Sequence, residues 1–281
     1  MRLSAAILPI LMLWVAVAAH AQIVLPADET PRYDTDSLLR LYDSRPYFGL
    51  YKDNYFTVGT AAGPKPTSTN SDVKFQISIA QRLTKSTLPG KTYLFLFYSQ
   101  KCLWNVFEES LPMHDLNFNP GIGLSKWLIA KDRLVGKLTL LIEHESNGKD
   151  GEDSRSWNKV SLSASIFVDP TLMIHGKYWI PIIDGENNKD ILRYSGIYQS
   201  GVQYMSTGGR FGAAVILTKR KGWDLNFNTI VEVNYRLFKQ ENQYLFLQYY
   251  NGYGENLLDY NRFHSRLRVG IVIKPEFFSD Y

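Results

Sequence analysis

Apolar and polar residues alternate along most of the chain beyond residue 50. Residues 157–168 show the pattern most clearly, because one set of alternate positions is mainly apolar and the other contains a lysine and three serines. Side chains point in turn to opposite faces of a β-strand, so a period of two predicts strands with one apolar face. The pattern predicts twelve strands, over residues 51–61, 73–82, 92–104, 121–128, 135–146, 157–168, 172–180, 195–205, 211–218, 227–238, 244–254 and 262–274.

The lengths of these strands and of their connections favour a membrane-spanning barrel. A tilted strand needs about 9–11 residues to cross a bilayer. Connections after odd-numbered strands are mostly long, as at 105–120, and those after even-numbered strands are mostly short, as at 169–171. Outer-membrane barrels have long extracellular loops and short periplasmic turns. We therefore predict an all-β fold, a twelve-stranded antiparallel transmembrane β-barrel over residues 46–281, with loop 147–156 extracellular.

The N-terminal residues have the features of an export signal. Arg2 precedes an apolar run at 5–19, and Ala19-His20-Ala21 forms an A-x-A cleavage motif. This arrangement predicts a secretory signal peptide over residues 1–21, too short for a permanent membrane helix. Residues 22–45 are then a polar periplasmic segment, with one helical turn around 37–41.

Composition narrows the classes of function without deciding the fold. Eighteen Tyr, fifteen Phe and six Trp suit the aromatic girdles of a membrane barrel. A mean hydropathy of −0.20 suits a barrel and a secreted β-sandwich equally, although the aromatic tail with Phe277, Phe278 and Tyr281 favours the barrel. A net charge of +4 is too small to indicate nucleic-acid binding. Cys102 is the only cysteine, which excludes an intramolecular disulfide, and we expect it to be an apolar filler.

Three polar residues share the apolar face of the fifth and sixth predicted strands. His144 and Ser146 continue the row of Leu138, Leu140 and Ile142, and Asn158 begins the apolar row of the next strand. A hairpin across 147–156 would make His144 and Asn158 cross-strand neighbours. Polar groups that face lipid are costly unless they satisfy one another, which makes them functional candidates.

The three residue types suit nucleophilic catalysis. Ser146 can act as nucleophile, His144 as general base, and Asn158 as the acceptor that orients the imidazole. An ionised aspartate in the third position would lose more solvation at such a site. The alternation alone also fits polar residues at the level where the strand leaves the membrane, and by itself it favours that interpretation slightly without excluding the catalytic one.

A longer string of residues resembles a known family. His144-Glu145-Ser146-Asn147-Gly148, followed by Ser154-Arg155-Ser156-Trp157-Asn158, is similar to the signature of outer-membrane phospholipase A. The resemblance covers nearly all of the chain after the signal peptide. Further matches occur at 74–76, 98–101, 108–112 and 252–261.

The resemblance implies a twelve-stranded outer-membrane enzyme that cleaves sn-1 and sn-2 acyl esters of phospholipids and lysophospholipids. It implies calcium dependence, activity as a homodimer, and an active site at the outer leaflet. Ser146 corresponds to the nucleophile, His144 to the proton acceptor and Asn158 to the orienting residue. The amide of Gly148 corresponds to one oxyanion donor. A glutamine that pairs across the dimer interface corresponds to Gln100.

The resemblance also implies a shared calcium site. Its ligands would be the Ser154 hydroxyl and the Lys149 carbonyl, completed by Ser110 of the partner subunit. The family commonly has arginine at the position of Lys149, an exchange that a backbone ligand tolerates. Leu111 replaces a polar residue beside Ser110. The acidic residues at 150, 152 and 153 suit a hard cation or a solvated loop tip equally well.

Two other functions compete with the phospholipase. A non-enzymatic porin-like barrel would leave the three polar residues idle, and inward Lys159, Arg266 and Arg268 would crowd its lumen. A lipid A deacylase also uses a His-x-Ser pair on a barrel wall. That family has eight strands and an acidic third residue, and this sequence predicts neither.

Overall fold

The computed structural model describes residues 35–182, 186–239 and 241–275. The predicted signal peptide, the first part of the 22–45 segment and the C-terminal Phe277, Phe278 and Tyr281 lie outside the described residues. None of the helices in the described ranges is long and apolar enough to cross a membrane.

Antiparallel strands make up most of the described chain. The helices are α1 (Thr35–Asp43) and α2 (Leu192–Ser195). The strands are β1 (Phe48–Leu50), β2 (Asn54–Ala61), β3 (Ser71–Arg82), β4 (Tyr93–Trp104), β5 (Met113–Ala130), β6 (Arg133–Ser146), β7 (Ser156–Asp169), β8 (Leu172–Ile182), β9 (Tyr198–Met205), β10 (Phe211–Lys219), β11 (Phe227–Arg236), β12 (Gln243–Gly252) and β13 (His264–Ile273).

Strands β2 to β13 close into a barrel. Each pairs with the next along the chain, and β13 returns to pair with β2, as at Val269 and Val58. The predicted twelve-stranded antiparallel barrel is therefore confirmed. The three-residue β1 pairs with β3 beyond the end of β2, so β1 and β2 lie end to end beside the same strand.

The start of β5 differs from the prediction. This strand begins at Met113, whereas the alternation predicted a loop over 105–120 and a strand from 121. The inward side chains of the missed part are polar and buried, namely Asp115, Asn117 and Asn119. Pro120, which has no N–H to donate, also interrupts the segment. The outward row of this part contributes only Leu116 and Phe118 before Pro120, too short an apolar row to mark a strand in the sequence.

The barrel wall is apolar outside and polar inside. Apolar side chains of the strands are exposed on the outer face, including Phe56, Val58, Ile77, Leu96, Leu140, Ile142, Leu162, Ile180, Val215, Leu247, Val269 and Ile271. Polar and charged side chains are buried on the inner face, including Asp72, Lys74, Asp115, Glu143, Ser161, Lys177, Glu232, Gln248 and Arg268. This distribution is the one required of a barrel surrounded by lipid.

Ion pairs fill much of the lumen. The fully buried Arg268 donates to both carboxylate oxygens of Asp72 at 2.7 and 2.8 Å and to Glu255 at 2.6 Å. Lys74 reaches the same Glu255 at 3.1 Å. Lys159, predicted to point inward, lines the lumen cavity. Buried charges are tolerated when they are paired and hydrogen-bonded, as they are here.

An arginine attaches helix α1 to the barrel. The Arg82 guanidinium donates to the main-chain oxygens of Tyr42, Asp43 and Arg45 at 2.8 to 3.1 Å. It also lies 4.6 Å from the ring centres of both Tyr42 and Tyr47. A cation at the C-terminal end of a helix pairs with its unsatisfied carbonyls. The helix is longer than the single turn predicted at 37–41.

We predict that Arg268→Met strongly destabilises the barrel. The substitution removes the main partner of two buried carboxylates, and breaking a buried pair in this way costs about 3–5 kcal/mol. Equilibrium urea unfolding in detergent micelles measures the loss. Arg210→Met is the matched control, because Arg210 is exposed in a turn. Equal stability of Arg268→Met and the wild type would contradict a stabilising role for the lumen ion pairs.

Candidate functional site

The hairpin of β6 and β7 brings the three predicted residues to one face. His144 and Asn158 are direct cross-strand partners, and Ser146 lies opposite Ser156. His144 and Ser146 continue the outward row of Ile142, whose side chain is 58% exposed. All three predicted residues are half-buried. The structure therefore confirms that they share the apolar outer wall at the loop end of these strands.

His144 is oriented by Asn158. The imidazole Nδ1 lies 2.8 Å from Asn158 Oδ1. The amide oxygen can only accept, so Nδ1 carries the proton and Nε2 of the neutral ring is free to accept one. The backbone of His144 is held from the inner side of the barrel, because Asn119 Nδ2 donates to its carbonyl oxygen at 2.8 Å. This geometry is what a general base requires.

Ser146 lies two residues along the same row. Its backbone is held between Phe118 on β5 and Ser156 on β7. Within the described ranges its hydroxyl makes no hydrogen bond. The structure thus joins His144 to Asn158 by a hydrogen bond, whereas Ser146 and His144 are neighbours without a direct bond. In enzymes without substrate, such bonds are often long and shorten when substrate binds.

Gly148 follows Ser146 in a conformation that favours glycine. Its φ is +65°, and a Cβ there would lie 2.9 Å from Cε2 of Phe118. Both the backbone angle and the close approach of Phe118 therefore exclude larger side chains. The result is a main-chain amide close to Ser146 in sequence, at the start of the loop that joins β6 to β7.

Asn147 closes this loop, a role that the sequence analysis missed. Its side chain is buried, accepts the Arg155 amide at 2.9 Å and donates to the Asp153 carbonyl at 2.9 Å. The main-chain amide of Asn147 also donates to Arg155 O at 3.0 Å. One side chain thus holds both ends of residues 147–155. Asn147 lies between two predicted site residues, Ser146 and Gly148, and this position in the sequence could have indicated its role.

The loop presents oxygen atoms suited to calcium. Within the part of the chain that the structure describes, the Lys149 carbonyl and the Ser154 hydroxyl form no hydrogen bond. Uncommitted carbonyl and hydroxyl oxygens fit a hard cation such as Ca²⁺. The acidic side chains of Asp150, Glu152 and Asp153 are exposed. The described residues contain no group of three or more His, Cys, Asp or Glu that could hold a metal ion.

Ser110 lies in the separate loop between β4 and β5. It is exposed, with a φ of +64°, and Leu111 follows with a φ of +48°. Two consecutive non-glycine residues with positive φ are uncommon, and such a backbone needs support from its surroundings. Support comes from Trp104, whose indole donates to Leu111 O at 2.8 Å.

Gln100 lies on the outward row of β4. Its side chain accepts from the Tyr98 hydroxyl at 2.7 Å and contacts Cys102 Sγ at 3.4 Å. Cys102 is fully buried, which agrees with its predicted role as an apolar filler.

Ion pairs hold strand β6 from the inner side of the barrel. Glu143 accepts from Lys177 at 2.8 Å and from Ser161 at 2.5 Å. Glu145 accepts from Lys159 at 2.8 Å and from the Trp157 indole at 3.0 Å. The two carboxylates flank His144 in sequence, so charges in the lumen hold β6 on both sides of this residue.

Comparisons with known proteins identify the family of this chain. A family model described as Phospholipase A1 matches residues 40–273. A phospholipase A1 from Proteus vulgaris is 31% identical over 215 residues, which cover 73% of this chain and 71% of that protein.

Two solved structures share the fold. An outer membrane phospholipase dimer from Salmonella typhi with bound calcium has a TM-score of 0.73 at 23% identity, covering 88% of this chain and 100% of that one. An active-site mutant of Escherichia coli outer membrane phospholipase A, with an asparagine changed to alanine, has a TM-score of 0.70 at 24% identity, covering 83% and 95%. Because the family model spans most of its length and a relative matches at this identity, the chain belongs to the phospholipase A1 family.

Proposed function

We propose that this protein is a calcium-dependent outer-membrane phospholipase that hydrolyses sn-1 and sn-2 acyl esters of phospholipids and lysophospholipids. The observation that carries the proposal is the 2.8 Å contact of His144 with Asn158, beside Ser146 on an outward apolar wall. Membership of the phospholipase A1 family supports the same reaction.

The first half of the reaction acylates Ser146. Its Oγ attacks the ester carbonyl carbon while His144 Nε2 takes the hydroxyl proton. Asn158 Oδ1 keeps the ring oriented and stabilises the imidazolium through Nδ1–H. The tetrahedral intermediate then collapses, and His144 returns the proton to the departing alcohol of the lysolipid.

The second half releases the fatty acid. Water attacks the acyl carbon, and His144 takes its proton. Collapse of the second intermediate expels Ser146 Oγ, which regains that proton.

Negative charge on the ester oxygen needs donors close to Ser146. We assign one of them to the Gly148 amide, and such a donor contributes about 10²–10³ in rate. Lys149, Ser154 and the partner subunit's Ser110 would hold calcium, which when bound supplies positive charge near that oxygen. The exposed position of Ser110 suits contact with another subunit.

The outer wall offers half of an acyl-chain site. Leu140, Ile142 and Leu162 are 46 to 58% exposed and lie in line below the polar cluster. A second copy of the chain would supply the opposite wall, which supports a homodimer as the active form. The long connections at this end of the barrel support an active site at the outer leaflet, because long loops are extracellular in outer-membrane barrels.

We predict that Ser146→Ala and His144→Ala abolish release of fatty acid from phospholipid micelles, because one lacks the nucleophile and the other the base. Asn158→Ala should leave weak activity, since the base remains without its orienting partner. Each variant should show the normal mobility shift of a folded barrel in unheated gels. Wild-type turnover by folded Ser146→Ala would refute the assignment.

We also predict that Gly148→Ala lowers kcat by about 10²-fold, the effect of losing one oxyanion donor. The added methyl group meets Phe118, so the amide must move. Gly151→Ala is the matched control, since Gly151 has a φ of +57° in the same loop but an added Cβ would have no neighbour within 4 Å. Equal losses in both variants would indicate general strain in the loop instead of a displaced donor.

Calcium and protein density should both limit activity. Chelation with EGTA is expected to stop turnover, and dilution of the protein in detergent is expected to lower the specific activity. Chemical cross-linking at each dilution measures the dimer fraction. Full activity of a monomer in EGTA would contradict the proposed dimeric calcium site.

A further inference from the structure

The loop between β12 and β13, residues 253–263, folds into the mouth of the barrel. Its side chains are largely buried, namely Glu255, Asn256, Leu257, Asp259 and Tyr260. Residues 254–257 line a lumen cavity of about 250 Å³. Gly254, with a φ of +71°, turns the chain inward where a Cβ would lie 2.8 Å from Ser195 Oγ. Residues 252–261 resemble the phospholipase A family in sequence, but the reaction proposed above gives this loop no role.

One buried carboxylate attaches this loop to β5. Asp115 is 1% exposed, and its Oδ2 accepts the main-chain amides of Leu257 and Leu258 at 3.0 and 2.9 Å. The neighbouring Asn117 donates to the same oxygen at 2.6 Å and accepts the Leu257 amide at 3.1 Å. Hydrogen bonds to an ionised carboxylate are stronger than those between neutral groups.

Strand β5 connects this attachment to the candidate site. Asp115, Asn117 and Asn119 form one inward row, and Asn119 donates to the His144 carbonyl at 2.8 Å. On the outer face of the same strand, Phe118 pairs with Ser146 and lies against Gly148. The position of β5 therefore affects the backbone of the base, the nucleophile and the oxyanion donor.

The loop also contacts the strand on the other side of β6. Leu257 and Tyr260 pack in one buried cluster with Trp157, the residue before Asn158. A further contact joins Asp259 to His114 at 2.6 Å, and this hydrogen bond lowers the pKa of Asp259 below its ordinary value. The loop thus braces both neighbours of the catalytic strand from inside the barrel.

We propose that Asp115 is a positioning residue for the reaction, acting through the 253–263 loop and β5 on His144 and Ser146. The inference rests on the proposed function. Asp115 points into the lumen, away from the lipid-facing wall, so it acts on the alignment of the reacting groups and not on substrate binding. A misplacement of about 1 Å in an active site can cost about 10²-fold in rate.

The test compares Asp115→Ala with Asp115→Asn. We expect Asp115→Ala to lower kcat by about 10- to 100-fold with an unchanged KM, because the Leu258 amide loses its acceptor and the Leu257 amide keeps only Asn117 Oδ1. Asp115→Asn should recover most of this loss, because its carboxamide oxygen can accept the same amides. The kcat of each variant is calculated per mole of protein whose Ser146 a sulfonyl fluoride can label. Misfolded protein is then not counted.

Asp169→Ala is the matched control. Asp169 accepts the main-chain amides of Thr171 and Leu172 at 2.6 and 2.9 Å, at the far end of β7. Its loss should leave kcat per labelled site unchanged. A normal kcat in Asp115→Ala, or an equal fall in Asp169→Ala, would overturn the positioning role. Failure of the proposed function would instead appear in the wild type, as absent phospholipid turnover or as activity that survives Ser146→Ala.

Discussion

The hydrogen-bonded register between β6 and β7 is the constraint on which the site depends. It makes His144 and Asn158 direct partners and places Ser146 on the same outward row. A slip of one residue would turn every side chain of a strand to the opposite face. Such a slip of β6 would place Glu143 and Glu145 in lipid and His144 and Ser146 in the lumen. The buried ion pairs of the inner face therefore select the register that aligns the catalytic groups on the outer face.

Polar groups on an apolar wall need partners to be tolerated. His144 and Asn158 satisfy each other, while the loop held by Asn147 brings main-chain and hydroxyl oxygens to the same end of the hairpin. A neutral amide as orienting group avoids burying a charge beside lipid. The hydrogen bond between His144 and Asn158 thus has two effects. It orients the proposed base, and it satisfies polar groups that face lipid.

Much of this arrangement could be predicted from the sequence, because strand faces follow directly from alternation. Strands β6 and β7 were predicted nearly at their observed bounds. The common face of His144, Ser146 and Asn158 was predicted with them. Prediction failed at the start of β5, where the outward apolar row is only Leu116 and Phe118 before Pro120 interrupts the pattern. The bonds from Asp115 to the 253–263 loop join residues 142 and 143 positions apart, a contact that no local pattern reveals. The proposed calcium ligands came from the family resemblance alone, since backbone carbonyls leave no signature in side-chain chemistry.

The pairing of Arg268 with Asp72 has a consequence for biogenesis. The two residues lie 196 positions apart, on strands near opposite ends of the chain. Unless both strands arrive together, Asp72 enters the hydrocarbon layer without its cationic partners on the last strand, and such an uncompensated charge is strongly disfavoured there. Strands entering the bilayer one by one would meet this barrier repeatedly. The barrel is therefore expected to cross in a nearly closed form, with the seam between its first and last strands sealed before its charges leave water.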